Sequence, residues 1–105
     1  PAPAVQQRPR VQAVEVRAGL LVDLVTFVFA DGSRRGFGEE GGSFAGRFTL
    51  EEGEVLARVT GSSGDCLDSI QFHTNRGRSS QVFGNASGGS AFEMPAPPGH
   101  EVVGL

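Results

Sequence analysis

The amino-acid sequence predicts an all-β domain, and three features of its 105 residues support this fold class. Glycine occurs 16 times, and its scatter leaves no uninterrupted window for the 3.6-residue apolar period of an amphipathic helix. Short apolar segments alternate with turn signals, at a spacing typical of a sandwich, barrel or prism of antiparallel strands. The same unit of strands and turns also occurs twice along the chain.

The length and charge of the chain fit one small domain and exclude several partners. The net charge is −3, so nothing in the composition recruits nucleic acid. No stretch has the length of a transmembrane helix, and we expect no membrane insertion. The single cysteine, Cys66, excludes an internal disulfide and a multi-cysteine zinc site but leaves the compartment undecided. We expect a proline-rich arm over residues 1–10 and one domain over residues 11–105.

The strands follow in order after the arm. The segment "VQAVEVRAG" predicts the first strand, and "VDLVTFVFADG" the second, with Val25, Phe27 and Phe29 on one face. The pair Asp31-Gly32 then signals a tight turn of a hairpin. Further strands are predicted in "EVLARVTG", "LDSIQFHTN" and "SQVFG".

Two copies of one unit, at about 11–60 and 61–105, account for the chain. Asp23 in "VDLVTFVFADG" matches Asp68 in "LDSIQFHTNRG", and "FGEEGGS" corresponds to "FGNASGGS". The segment "EGEVLARV" likewise resembles "PGHEVVGL". Each copy therefore has a G-x-x-x-D turn, a strand, a hairpin, a second strand, a Gly-Gly loop and further strands.

The repeated turn, "GLLVD" in the first copy and "GDCLD" in the second, points to a binding role. Glycine permits a sharp turn, so successive N–H groups can face one concave space beside a carboxylate. A Gly-Gly loop lets a ligand approach the backbone closely from the opposite side. Donors and acceptors together suit a polyhydroxylated ligand. Alternatively, each aspartate only caps backbone amides at the start of a strand.

The segments "GDCLDSIQFHTNRGRSSQVFG", "GGSAF" and "PPGHEVVG", with "LVDLVTFVFADGS" and "FGEEGGSF", resemble the jacalin-related lectins of the mannose-binding type. That family folds as a β-prism of three antiparallel Greek-key sheets. The resemblance covers two of the three Greek keys, so it implies a jacalin-like β-prism that is incomplete relative to the family.

The resemblance also implies two sites for neutral hexoses of the mannose or glucose type, with no cofactor and no metal. In such sites an aspartate carboxylate and backbone N–H groups bind the sugar hydroxyls. The first site would comprise Gly19, Leu20, Leu21, Val22, Asp23, Gly41 and Gly42. The second site would comprise Gly64, Asp65, Cys66, Leu67, Asp68, Gly88 and Gly89.

A prism that lacks one Greek key leaves strand edges and apolar faces open. We therefore expect a homo-oligomer or a subunit of a larger complex. The alternative function is that of a truncated lectin-fold scaffold or interaction subunit that binds no sugar.

Enzymatic readings of the sequence are weak, and we expect no enzyme. "GFGEEGG" contains the dinucleotide fingerprint, but no helix follows it and Glu39 would repel a pyrophosphate. Cys66 and His73 would lie about 20 Å apart along an extended strand, too far for a nucleophile and its base. The tripeptide "NAS" at Asn85 matches a glycosylation acceptor, and its modification stays open.

Overall fold

The computed structural model describes residues 10–105, and these residues form eight β-strands and no helix. The strands are β1 (Val11–Ala18), β2 (Val22–Phe29), β3 (Arg34–Gly38), β4 (Ser43–Thr49), β5 (Leu56–Ser63), β6 (Leu67–Thr74), β7 (Phe83–Gly84) and β8 (Ser90–Pro95). No helix in this part of the chain is long and apolar enough to cross a membrane. The predicted arm lies outside the described residues, apart from its last residue, Arg10.

Each copy folds into one four-stranded antiparallel sheet. The first sheet has the order β3-β2-β1-β4 and the second has the order β7-β6-β5-β8. In both sheets the fourth strand returns beside the first, which is the strand order of a Greek key. The predicted all-β fold with antiparallel Greek-key sheets is therefore confirmed. The predicted boundary near residue 60 falls within β5, since the second sheet begins at Leu56.

The hairpins of the two sheets turn at equivalent glycines. Gly32 between β2 and β3 has φ 89°, and Gly77 between β6 and β7 has φ 77°. Both values lie in the left-handed region that glycine enters without steric cost. The N–H of Gly32 donates to the carbonyl of Phe29 at 2.9 Å, and that of Gly77 donates to the carbonyl of Thr74 at 3.2 Å. The tight turn predicted at Asp31-Gly32 is thus present in both copies.

The two sheets share one apolar core. Phe27 of β2 and Phe72 of β6, which occupy equivalent positions in the two copies, are fully buried. Their rings meet edge to face with centroids 6.4 Å apart, a favourable aromatic geometry. Val102 in the last segment also joins the core, and its N–H donates to the carbonyl of Leu56 at 2.9 Å. The core thus packs the inner faces of both sheets together.

A buried ion pair fastens the connection between the sheets. Glu54, in the segment between β4 and β5, has a fully buried side chain and accepts hydrogen bonds from Arg78 at 2.5 and 3.0 Å. The hydroxyl of Thr74 donates to the same carboxylate at 2.7 Å. The hydrogen bonds from Arg78 outweigh the effect of burial and hold the pKa of Glu54 at about 2. The guanidinium of Arg78 also lies 4.8 Å from the ring centroid of Phe48 in the first sheet.

Candidate functional site

The two G-x-x-x-D turns join equivalent strands, β1 to β2 in the first copy and β5 to β6 in the second. Each turn is closed by the same hydrogen bond. The N–H of Gly19 donates to the carbonyl of Leu21 at 2.9 Å, and the N–H of Gly64 donates to the carbonyl of Cys66 at 2.9 Å. The turns therefore have matching backbone geometry although their middle residues differ.

Both turns leave backbone amides unused. Within residues 10–105, no backbone hydrogen bond involves the N–H groups of Leu20, Leu21, Asp65 or Cys66. Leu20, Asp65 and Cys66 are exposed, and Leu21 is half-buried, so water reaches these turns. Unpaired backbone donors at the surface are available to a ligand. Each turn therefore offers two such donors.

The Gly-Gly loops lie directly against the two aspartates, as the sequence predicts. A Cβ placed on Gly41 would lie 3.4 Å from Oδ1 of Asp23, and one placed on Gly88 would lie 2.7 Å from Oδ1 of Asp68. A Cβ on the second glycine of each loop, Gly42 or Gly89, would clash with the same carboxylate and with the backbone at the end of β1 or β5. The absence of side chains is thus what allows loop and carboxylate to meet.

The second glycine of each pair also needs its backbone freedom. Gly42 has φ 56° and Gly89 has φ 66°, both in the left-handed region. The carbonyls of the two aspartates anchor the start of the loops, because the N–H of Glu39 donates to Asp23 at 3.1 Å and that of Asn85 donates to Asp68 at 2.7 Å. Each loop is therefore anchored at its start to the backbone of its aspartate.

The carboxylates themselves are not engaged by the rest of the described chain. Asp23 and Asp68 are half-buried, and neither side chain accepts a hydrogen bond from a residue between 10 and 105. In that range no fully buried side-chain oxygen or nitrogen lacks a partner, so solvent reaches these oxygens. Each copy thus places a solvent-accessible carboxylate against a diglycine segment, and the turn before that aspartate has two backbone amides without a backbone partner. Capping of local amides does not account for the aspartates, since no amide donates to their side chains.

The remaining predicted site residues contribute in unequal ways. The side chain of Val22 is 8% exposed and belongs to the core, so only its backbone can face the site. Leu20 is 89% exposed beside the first site. Leu67 is half-buried beside the second, where the exposed thiol of Cys66 takes the place of Leu21. No cluster of three metal-ligating side chains occurs in residues 10–105.

One supporting residue of the first site is not evident from the sequence. Arg17, near the end of β1, donates from Nε to the carbonyl of Gly41 at 3.1 Å and from Nη2 to that of Gly42 at 3.0 Å. The equivalent position in β5 holds Ser62, which is too short to reach its loop. The second loop is stiffened from within, because Asn85 Oδ1 accepts from the N–H of Ser87 at 3.1 Å and from its hydroxyl at 2.7 Å.

The chain matches the sequence model of the Jacalin-like lectin domain over residues 4–105. No curated protein sequence matched it.

Solved structures with a similar fold are lectins. Malaysian banana lectin is 26% identical with a TM-score of 0.69, and the match covers 85% of this chain and 69% of that one. A prostate-specific WGA16 glycoprotein lectin is 22% identical with a TM-score of 0.74, covering 87% of this chain and 65% of that one. AcmJRL, a mannose-binding jacalin-related lectin from Ananas comosus, is 23% identical with a TM-score of 0.64, covering 89% and 70%. The chain thus spans about two thirds of the length of these lectins.

Proposed function

The chain belongs to the jacalin-like lectin family, and on this premise we propose that it is a carbohydrate-binding module with two sites for neutral hexoses. The predicted family resemblance and the β-prism fold class are confirmed by the family match and by the similar lectin structures. The family is one of carbohydrate-binding proteins rather than enzymes, and we propose that this member acts by binding alone.

The observation that carries the proposal is the repeated contact between a diglycine loop and the carboxylate of Asp23 or Asp68, neither of which is hydrogen-bonded to another residue within 10–105. A sugar hydroxyl donates one hydrogen bond and accepts others, so it can donate to the carboxylate while it accepts from a turn amide. The diglycine segments, at Gly41 and Gly88, let the ring approach the backbone. The negative carboxylate would repel an anionic ligand, and this favours a neutral sugar.

Mannose-type hexoses are the ligands that we propose first, with glucose as the second choice. Support comes from AcmJRL, which is mannose-binding and shares the fold. Each neutral hydrogen bond contributes roughly 1 kcal/mol after exchange with water, so we expect dissociation constants of about 1 mM per site. Two sites on one rigid body would strengthen binding to a surface that displays many sugars.

Titration with methyl α-mannoside, followed by two-dimensional NMR of the uniformly ¹⁵N-labelled chain, tests the proposal. In the wild type we expect shifts of the amide signals of both turns. Asp23→Asn should abolish the shifts in the first turn only, and Asp68→Asn those in the second only. The matched control is Asp31→Asn, which removes an exposed carboxylate that bonds only to Ser33 in a hairpin turn. Unchanged binding by the Asp23→Asn/Asp68→Asn double variant would overturn the proposal.

A second candidate function, an interaction subunit, is favoured by exposed apolar side chains. Phe44 in β4 is 60% exposed, and Leu105 at the end of the described chain is 42% exposed. Side chains of this kind often mark contact surfaces when they cluster. Sedimentation velocity separates the candidates: a monomer that binds methyl α-mannoside favours the lectin, and an oligomer that binds no sugar favours the subunit.

A further inference from the structure

The face of the second sheet that points away from the core carries a groove of about 650 Å³. It is lined by the side chains of Thr60, Ser62, Ser69, Gln71, Ala91 and Glu93, together with the larger apolar residues Val82 and Phe92. Thr60 and Gln71 alternate with the fully buried Val59 and Phe72, which places them opposite the core. The volume falls within the range of about 300 to 1,000 Å³ that is usual for small-molecule sites.

The polar groups of this groove are fixed in position but retain hydrogen-bonding capacity. The hydroxyls of Ser62 and Ser69 are 2.7 Å apart and bond to each other. Gln71 donates from Nε2 to the carbonyl of Ser80 at 2.8 Å, which orients its side-chain oxygen. Ser62 and Ser69 are buried at the floor, whereas Thr60 and Gln71 are half-buried. A hydroxyl has one donor and two acceptor positions, and an amide oxygen accepts two bonds, so Thr60 and Gln71 have positions left for a ligand.

The groove adjoins the second candidate site directly. Gly89 lines the groove, and the same glycine lies against the carboxylate of Asp68. Ala86, from the loop that leads to this glycine, forms part of the opposite wall. The space beside Asp68 and the groove therefore share Gly89 as a common boundary.

Long charged side chains cover the corresponding face of the first sheet. Glu15, at the position equivalent to Thr60, pairs with Arg47 at 2.6 Å and with Arg34 at 2.5 Å. Arg17, at the position equivalent to Ser62, reaches across to the diglycine carbonyls. The same backbone thus presents a groove in one sheet and a layer of ion pairs in the other.

The cross-strand neighbours differ in the same way. In the second sheet Ser62 pairs with Ala91, whereas in the first sheet Arg17 pairs with Phe44. Ala91→Phe would therefore give the second sheet the side chain that the first sheet has at the equivalent position, Phe44, and this side chain would fill the groove. Ala91 is exposed, so this replacement does not disturb the core.

We propose that the groove binds a further sugar residue of a neutral oligosaccharide whose first hexose lies beside Asp68. The inference rests on the proposed function of that site and extends it. The second site then recognises longer glycans, whereas the first site, whose neighbouring sheet face is filled, recognises a terminal hexose alone. Glu93 at the rim pairs with Arg58 at 3.0 Å, so its charge is balanced by a cation, which suits a neutral sugar.

The test uses the Asp23→Asn chain, in which only the second site is intact. Isothermal titration compares methyl α-mannoside with a linear mannotriose, and NMR reports which amides shift. We expect the mannotriose to bind about tenfold more tightly, which corresponds to about 1.4 kcal/mol, and to shift Thr60 and Ala91 in addition to the turn. Ala91→Phe should lower the affinity for the mannotriose to that for the monosaccharide. The same substitution should leave the affinity for methyl α-mannoside unchanged.

A second obstruction and a matched control complete the design. Ala86→Phe blocks the groove from its other wall and should have the same effect, while Ala91→Ser should have none. If the monosaccharide binds but the mannotriose binds no more tightly, or if both phenylalanine variants retain the tighter binding, the groove proposal is wrong and the lectin site stands. If neither sugar binds, the lectin site and the groove proposal both fail.

Discussion

The two copies build the same turn and the same diglycine wall, but they support these parts by different means. In the first copy Arg17 holds the loop by its carbonyls, and β3 has five residues. In the second copy a serine replaces this arginine, the loop is stiffened by Asn85, and β7 has only two residues. The repeated elements are backbone features fixed by glycine and aspartate, while the side chains around them are free to diverge.

This difference teaches where specificity can arise in a duplicated site. Contacts to the first hexose depend on backbone amides and one carboxylate, and these are alike in both copies. Contacts beyond the first hexose depend on the outward side chains of each sheet, and these are unlike. We therefore expect the two sites to bind monosaccharides equally and oligosaccharides unequally.

The largest effect should come from Arg78, which has no equivalent in the first copy, where Ser33 stands in its place. Removal of one partner of a buried ion pair costs about 3 to 5 kcal/mol, and because Arg78 is 40% exposed we expect a loss near 3 kcal/mol in the free energy of unfolding for Arg78→Ala. Ser33→Ala, in an exposed turn, should cost less than about 1 kcal/mol. Urea denaturation measures both; equal losses would mean that the ion pair does not fasten the two sheets.

Acid should lower the stability of the folded chain by protonating Glu54, the partner of Arg78. The pKa of Glu54 is held at about 2, below the ordinary 4.5, so below pH 4.5 the unfolded chain takes up a proton more readily than the folded one. Stability contributed by this carboxylate is therefore present above pH 4.5 and is lost as the pH falls towards 2. The loss should approach that of Arg78→Ala. Denaturation between pH 7 and pH 2.5 should show a smaller decline in the Arg78→Ala variant, and an identical decline would contradict this assignment.

Substitution of the second glycine in each diglycine loop should have equal effects on stability and on sugar binding in the two copies. Gly42→Ala and Gly89→Ala each force a side chain into a left-handed backbone position against a carboxylate, so we expect a loss of about 1 to 2 kcal/mol in stability and no sugar binding at the altered site. Gly19→Ala and Gly64→Ala are the controls for the stability effect, since an added Cβ meets nothing within 4 Å. Thermal unfolding and the NMR titration measure both effects; an effect in one copy alone would break the equivalence of the loops.

The smallest effect that we expect is on sugar affinity at the first site, where Arg17 supports the diglycine loop. Arg17→Ala removes one partly buried and one exposed hydrogen bond to the diglycine carbonyls, and we expect binding of methyl α-mannoside at the first site to weaken about threefold, or roughly 0.7 kcal/mol. Arg34→Ala, which removes a neighbouring arginine that pairs only with Glu15, should leave that affinity unchanged. The Asp68→Asn background isolates the first site for this comparison.

Repetition explains how much of the fold and of the candidate site follows from the sequence. The matching aspartates and Gly-Gly pairs predict the meeting of loop and carboxylate, because each feature occurs twice at the same place in its unit. The Greek-key strand order is implied by the resemblance to the jacalin-related lectins. Contacts that occur once have no such signal. Arg17 and Gly41 are 24 positions apart, as are Glu54 and Arg78, and no local pattern pairs them.

The groove cannot be predicted from the sequence, for a different reason. Its existence depends on which outward residues of β5 and β8 oppose each other, and this register is shifted by a bulge in the first sheet but is continuous in the second. A one-residue change in register would exchange the inward and outward sets. The polar character of Thr60 or Ser62 alone therefore predicts a solvated face and not a cavity.

Cys66 gives the two sites an asymmetry of practical value. It is the only cysteine in the chain, and it lies exposed in the turn that precedes Asp68, where the first copy has Leu21. A maleimide-linked fluorophore attached to this thiol would sit at the rim of one cleft only. Its emission would follow occupancy of that cleft in an otherwise unmutated chain, so binding at the second site can be measured separately from binding at the first.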